Sequence, residues 1–198
     1  RNKGYVAPSI KYNTKEEKIT GGYVMESKPG LYDNIVVLDF KSLYPSLMRT
    51  FNIDPLAFSK KGIKAPNGAT FSKKKSIMPE ILQELWELRE EYKKNKDEVS
   101  RYAIKILMNS FFGVLASPMC RFYNLDMANA ITSFAQHFIK KTSKLIEKEG
   151  FEIIYSDTDS VFVKCGKNPQ KDGQYLETKI NNILTKDIRK KYDVDSYL

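Results

Sequence analysis

Cysteine and histidine are scarce in this chain: Cys120, Cys165 and His137 are all that its 198 residues contain. The two cysteines do not form a C-x-x-C pair, so the sequence offers neither a disulfide framework nor a cysteine zinc cluster, and one histidine does not make an imidazole metal site. Such usage fits a reducing cytosol. Long apolar runs are also missing. No window approaches 18 consecutive apolar residues, and residues 1–6 lack the apolar stretch of a secretory signal, so the sequence predicts a soluble chain with no membrane partner. Acidic residues are the minority, 24 Asp+Glu against 33 Lys+Arg, and the resulting net charge of +9 suits a polyanionic partner such as nucleic acid. Apolar material is plentiful. At 41% hydrophobic and 12% aromatic residues the chain can build a core, which excludes disorder as its main state.

Read for organisation, residues 1–34 are polar and turn-rich, with Gly21-Gly22 and Lys28-Pro29-Gly30 as punctuation, and predict short strands or loops. Residues 35–40 form a short apolar run of strand type that delivers Asp39 near its end. Ser42 is placed to cap a helix over 43–51 that tolerates Pro45 in its first turn. Residues 52–76 read as loop and carry a crowd of lysines, Lys60, Lys61, Lys64, Lys73, Lys74 and Lys75. Apolar residues at three and four residue steps predict helices over 79–95 and 99–112, joined as an antiparallel hairpin, with Gly113 as the stop. A helix over 126–149, strands over 151–155 and 160–164 and a last amphipathic helix over 174–192 complete the order. That order predicts an α+β domain with an insertion.

Two groups of residues carry chemistry. Asp157 and Asp159 flank Thr158 at a hairpin tip, and Asp39 ends another buried strand. Gathered carboxylates repel and stay ionised only with cations among them. Hard oxygen ligands in small number suit Mg²⁺, which keeps waters and takes phosphate oxygens, and a pair of such ions suits phosphoryl transfer. The second group is cationic. Arg89 and Lys93 stand at i and i+4 on the first hairpin helix, and Lys105 and Asn109 do so on the second, so an antiparallel hairpin would aim three cations at one patch able to clamp a triphosphate.

Three stretches then combine. Asp39-Phe40-Lys41-Ser42-Leu43-Tyr44-Pro45-Ser46, Lys105-Ile106-Leu107-Met108-Asn109-Ser110-Phe111-Phe112-Gly113 and Tyr155-Ser156-Asp157-Thr158-Asp159-Ser160 resemble, in that order, motifs A, B and C of family B DNA polymerases. The flanks Gly21-Gly22-Tyr23-Val24-Met25 and Cys120-Arg121-Phe122 are most similar to the bacterial polymerase II branch of that family. The resemblance implies a ferredoxin-like palm, with residues 1–58 and 113–198 as its two parts, interrupted by a fingers helical hairpin at 59–112. By match to the motifs, Asp39, Asp157, Asp159 and Lys105 are the implied catalytic residues. Asp39, Asp157, Asp159 and the Phe40 carbonyl would hold two Mg²⁺ ions, with Mn²⁺ as a substitute. The implied nucleotide-binding residues are Ser42, Leu43, Tyr44, Arg89, Lys93, Lys105 and Asn109, with Tyr44 forming the floor under the sugar. Primer-template DNA and deoxynucleoside triphosphates are the implied partners, joined by a sliding clamp for the parent protein. The implied location is cytoplasmic, at the nucleoid, and the implied role is replication or repair.

Phe112 stands where the family carries Tyr, which keeps a stacking ring and removes a hydroxyl near the template base. The chain carries no acidic exonuclease motifs upstream and no thumb downstream, so it reads as the core of a larger protein, weakly active or inactive by itself. Arg189-Lys190-Lys191-Tyr192 reads as a solvated helix end. Two other classes compete with a DNA polymerase. An inert polymerase-like binding module would have lost motif acids, and all three are present; a different palm enzyme, a reverse transcriptase or nucleotide cyclase, fits poorly with the Leu-Tyr-Pro-Ser stretch and the Lys105/Asn109 helix.

Overall fold

The computed structural model of the protein describes residues 4–9 and 18–198. The part of the 1–34 reading that falls on residues 1–3 and 10–17 lies outside the described residues. The elements in chain order are β1 (Ile35–Asp39), α1 (Leu43–Thr50), β2 (Phe58–Lys64), β3 (Thr70–Phe71), α2 (Ile77–Lys94), α3 (Glu98–Ala116), α4 (Leu125–Lys148), β4 (Glu152–Asp157), β5 (Ser160–Lys164) and α5 (Pro169–Tyr192). The α+β class holds.

Strands β1, β5 and β4 form an antiparallel sheet in that order. The segment after Gly22 runs along the outer edge of β4. Met25 N–H donates to the Ser156 carbonyl (2.9 Å), Thr158 N–H donates to the Tyr23 carbonyl (2.9 Å), and Val24 bridges Asp157. Gly22 is needed for this approach, because a Cβ there would lie 2.7 Å from Thr158 Oγ1. Period-two alternation gives the sheet two unlike faces. The Val36, Val163 and Ile153 row faces α4 and α5 and is mostly buried, whereas Val37 on the other face is 49% exposed.

Helix α1 is buried almost all round, from Leu43 to Thr50, between α2, α3 and α4. Just past it, Phe51 stacks on Phe134 at 3.9 Å between ring centroids and 4° between planes, with Tyr192 edge-on at 5.0 Å. Burial of a ring of this size contributes about 1.5–3 kcal/mol before the aromatic pairing is counted.

Four expectations need correction. Residues 52–76 are not plain loop: β2 and β3 pair as a hairpin whose bulge brings Gly62 against Phe71, where a Cβ would sit 2.1 Å from the carbonyl oxygen at a φ of +134°. Buried Asn52 and Asp54 fix that hairpin to α2. Asn52 Nδ2 donates to the Ser72 and Lys74 carbonyls (2.6 and 2.7 Å), and Asp54 accepts from Leu56 and Met78 N–H (2.6 and 2.7 Å). Helix α3 runs through Gly113 to Ala116, since packed helix flanks outweigh one glycine's modest propensity cost. Helix α5 starts at Pro169 behind an Asn168 cap rather than at 174. Finally, the Tyr192 end of α5 is not merely solvated, because its ring joins the Phe51 cluster.

Candidate active site

Strand pairing puts Asp39 opposite Ser160 and Ser160 opposite Asp157, so one row across three strands carries both acids on the face away from α4 and α5. At about 4.8 Å per strand, the two acids' backbones stand roughly 9.6 Å apart with a serine between them. Asp159 closes the space at the β4–β5 turn, where Thr158 takes a left-handed φ of 48°. Its carbonyl accepts from Phe40 N–H (2.9 Å), which ties the end of β1 to the turn. Thr158 Oγ1 donates to Asp157 Oδ1 (2.8 Å) and holds that carboxylate in place.

Burial pushes the Asp159 carboxyl above the ordinary aspartate range, and the neighbouring Asp39 and Asp157 charges push it further, against a smaller pull from Lys105. Asp39 is raised by burial and partly relieved by the same lysine. Two acids that resist ionisation beside each other are a place where a hard cation is favourable, and the donors are all oxygen. Among the described residues no three Asp, Glu, His or Cys side chains are gathered as a self-sufficient metal cluster. The protein's share therefore fits a cation that completes its shell with other oxygens.

Across from the acids, the three cations expected to converge are placed unequally. Lys105 lies within electrostatic reach of Asp39 and Asp159. Arg89 is only 7% exposed, and its Nη1 donates to Ser42 Oγ (2.7 Å). Burial holds its pKa below the usual guanidinium value, and Arg101 lowers it further. Lys93 and Asn109 are exposed on α2 and α3. Ser42 does not cap α1 through its side chain, because at φ 53° and ψ 59° it turns the hydroxyl to Arg89 instead. Leu43 is buried, and the Tyr44 ring rests on Phe112 at 4.7 Å, tilted by 50°. Asp159 adds to burial in raising the Tyr44 hydroxyl pKa, which places that ring near the acids.

Sequence reasoning missed Trp86, Glu90 and Ser160. The ring of Trp86, the chain's one tryptophan, has Lys41 at 4.5 Å, Arg49 at 4.8 Å and Arg89 at 5.8 Å. Glu90 pairs with Lys41, joining α2 to the turn after β1. A tryptophan one helical turn before Arg89 was the available signal.

The model of DNA polymerase family B matches residues 1–195. The chain is similar to DNA polymerase II of Escherichia coli (strain K12), 43% identical over 81% of this chain and 21% of that protein. It is also similar to a DNA polymerase of Archaeoglobus fulgidus, 33% identical over 98% of this chain and 26% of that one. Among solved structures, the family B DNA polymerase of Pyrobaculum calidifontis superposes with a TM-score of 0.68 and 27% identity, covering 98% of this chain and 27% of that chain. This chain thus spans between a fifth and a quarter or so of the length of these relatives. With a family model covering residues 1–195 and a relative 33% identical over 98% of this chain, the chain belongs to DNA polymerase family B.

Proposed function

We propose that the chain is the palm and fingers core of a template-directed DNA polymerase, in which a primer 3′-hydroxyl attacks the α-phosphate of a deoxynucleoside triphosphate and pyrophosphate leaves. The three-stranded sheet with α4 and α5 behind it is the ferredoxin-like palm, residues 1–58 and 113–198, and the α2–α3 hairpin is the fingers, residues 59–112, with the last turn of α3 running on to Ala116. The observation that carries this reading is the single row of Asp39, Ser160 and Asp157 on the open face, with Asp159 beside it. Asp39 and Asp159, helped by Asp157 and the Phe40 carbonyl, would hold two divalent cations, Mg²⁺ or in its place Mn²⁺. Bound there, such cations supply charge neutralisation for the attacking and leaving oxygens.

The chain's own residues do the rest. Lys105 projects positive charge toward the acids, where the phosphates would lie. Arg89 and Lys93 supply further cations from α2, Ser42 and Leu43 line the turn entering α1, and Asn109 flanks the base. Tyr44, braced by Phe112, forms the floor under the sugar. DNA replication or repair, with a sliding clamp as partner, follows for the protein at its natural length. No helix among the described residues is long and apolar enough to cross a membrane.

The test is Asp159→Ala in the protein at its natural length. Nucleotide incorporation is expected to vanish while circular dichroism stays close to wild type and the melting transition is not lowered. Retention of more than about a tenth of the rate, a barrier change under about 1.4 kcal/mol, would remove Asp159 from the metal-holding set.

A further inference from the structure

The lysines of β2 and of the β3–α2 connection have no place in the chemistry above. Lys60, Lys61, Lys64, Lys73, Lys74 and Lys75 are all exposed, and among the described residues only Lys73 has an acidic partner, Asp193 at 2.8 Å. The fold does not leave them on a loose loop. Asn52 pins the carbonyls of Ser72 and Lys74, and Asn67 Nδ2 donates to the Asp126 carbonyl (2.9 Å) at the start of α4. Held this way, the hairpin lies against the ends of two distant elements and encloses a groove of about 510 Å³ lined by Lys64, Lys73, His137, Lys191, Tyr192 and Asp193. A second cavity of about 370 Å³ shares Lys73, but there Arg49 and Lys75 are matched by Glu80, Glu84 and Asp195, so the basic track is confined to the first groove.

His137 and Lys191 belong to α4 and α5, which cover the sheet on the side opposite the acidic row, so this basic track is separate from the candidate active site. Its field is positive: burial holds the His137 imidazole below its ordinary pKa, and Lys191 and Lys141 lower it further. The ligand class follows from the composition. Protein interfaces favour arginine and aromatic anchors and disfavour lysine, whereas flexible ammonium groups strung along a groove are what phosphate contacts use.

We propose that this track binds the phosphodiester backbone of a nucleic acid strand, as a second contact on the side of the sheet away from the acids. Binding of a fluorescent oligonucleotide, followed by anisotropy over a salt series, tests it. Lys64→Gln with Lys191→Gln should weaken binding about tenfold at moderate salt and reduce the log–log salt slope by roughly 1.4–1.8, the value for two lost phosphate contacts. Lys167→Gln with Lys171→Gln, just before and within the first turn of α5 and about 30 Å along that helix from Lys191, should change neither. Equal effects of the two pairs, or an unchanged slope in the first, would overturn the proposal. So would displacement of the oligonucleotide by polyglutamate at matched charge, which assigns the track to an acidic polypeptide. Because the groove is independent of catalysis, Asp159→Asn should leave the slope difference intact, so failure of the polymerase reading and failure of this one are told apart.

Discussion

Tyr44 offers the sharpest separation between a functional and a merely structural side chain. Its ring is half-buried, packs on Phe112 at 4.7 Å and lies near Asp159, so Tyr44→Ala has two consequences that can be measured independently. For stability, a fully buried aromatic costs about 3–5 kcal/mol when truncated and an aromatic pair about 0.5–1.5 kcal/mol, so a half-buried ring should cost roughly 2–3 kcal/mol. For selectivity, a ring under the sugar rejects a 2′-hydroxyl by collision, which discriminates better than a lost contact does. Loss of the ring should then reduce the preference for deoxy over ribo substrates at least about 100-fold, close to 2.7 kcal/mol of discrimination. Tyr44→Phe keeps the ring and should leave the preference near wild type. Phe112→Ala removes the brace and should erode the preference only partly. Single-turnover incorporation of matched deoxy and ribo triphosphates, in the protein at its natural length, reads the ratio directly. If Tyr44→Ala slows both substrates equally, the ring is a packing residue and the selectivity reading is refuted.

Three further outcomes follow from the packing and charge described above. Phe51→Ala, which empties the centre of the Phe134, Phe138 and Tyr192 cluster, should lower unfolding free energy by about 3–5 kcal/mol in urea titrations, and a loss below about 1.5 kcal/mol would mean the cluster collapses around the gap. Asp39 and Asp159 both titrate above the ordinary 3.8 in the folded chain, so the native state holds more protons than the unfolded one, and metal-free stability falls as pH rises from that value through the raised ones. Asp159→Asn should therefore raise the melting midpoint at pH 7 and lose that advantage near pH 3; an equal gain at both pH values would contradict the charge origin. Ser42→Ala leaves the buried Arg89 guanidinium without its hydroxyl acceptor and should cost about 1–3 kcal/mol in thermal or chemical denaturation, and a loss below about 0.5 kcal/mol would mean that water replaces the hydroxyl.

The sequence made the local chemistry of the site legible and left its long-range fastening hidden. The short apolar runs of β1 and β5 and the tight Asp157-Thr158-Asp159 turn are strand and turn signals, so the strand that ends in Asp39 and the hairpin that presents the other acids could be read from residue type. Which strands neighbour each other is a tertiary matter, and the acidic row exists only because β5 inserts between β1 and β4. The β2–β3 hairpin was invisible because β3 has two residues and β2 contains a glycine bulge, so neither offers a run of alternation. Asn52 and Asp54 look like turn residues, and their side chains instead anchor the hairpin and α2 through backbone groups more than 20 positions away. Ser42 fooled the capping rule for a related reason: a left-handed backbone removes it from cap geometry, and a buried guanidinium 47 positions on competes for its hydroxyl.

That competition bears on how the site would receive a triphosphate. Arg89 is satisfied by Ser42 and screened by Trp86, whereas Lys105 still faces acids that burial and mutual repulsion hold above their ordinary pKa. A phosphate arriving between them meets one cation that is exposed and one that must first leave a hydroxyl and a ring. Glu90 adds to the restraint by holding Lys41, so α2 is tied to the β1–α1 turn by an ion pair and a charge-assisted hydrogen bond one residue apart. Exchange of the Ser42 hydroxyl for a phosphate oxygen replaces a neutral acceptor by an anionic one and opens a bidentate pairing that a hydroxyl cannot offer. The same exchange would remove one of the two ties between α2 and the turn. On the proposed reading, Arg89 rather than the exposed Lys93 is therefore the side chain through which an arriving polyanion would bear on the attachment of α2, while the Lys41–Glu90 pair would keep its hold on the turn.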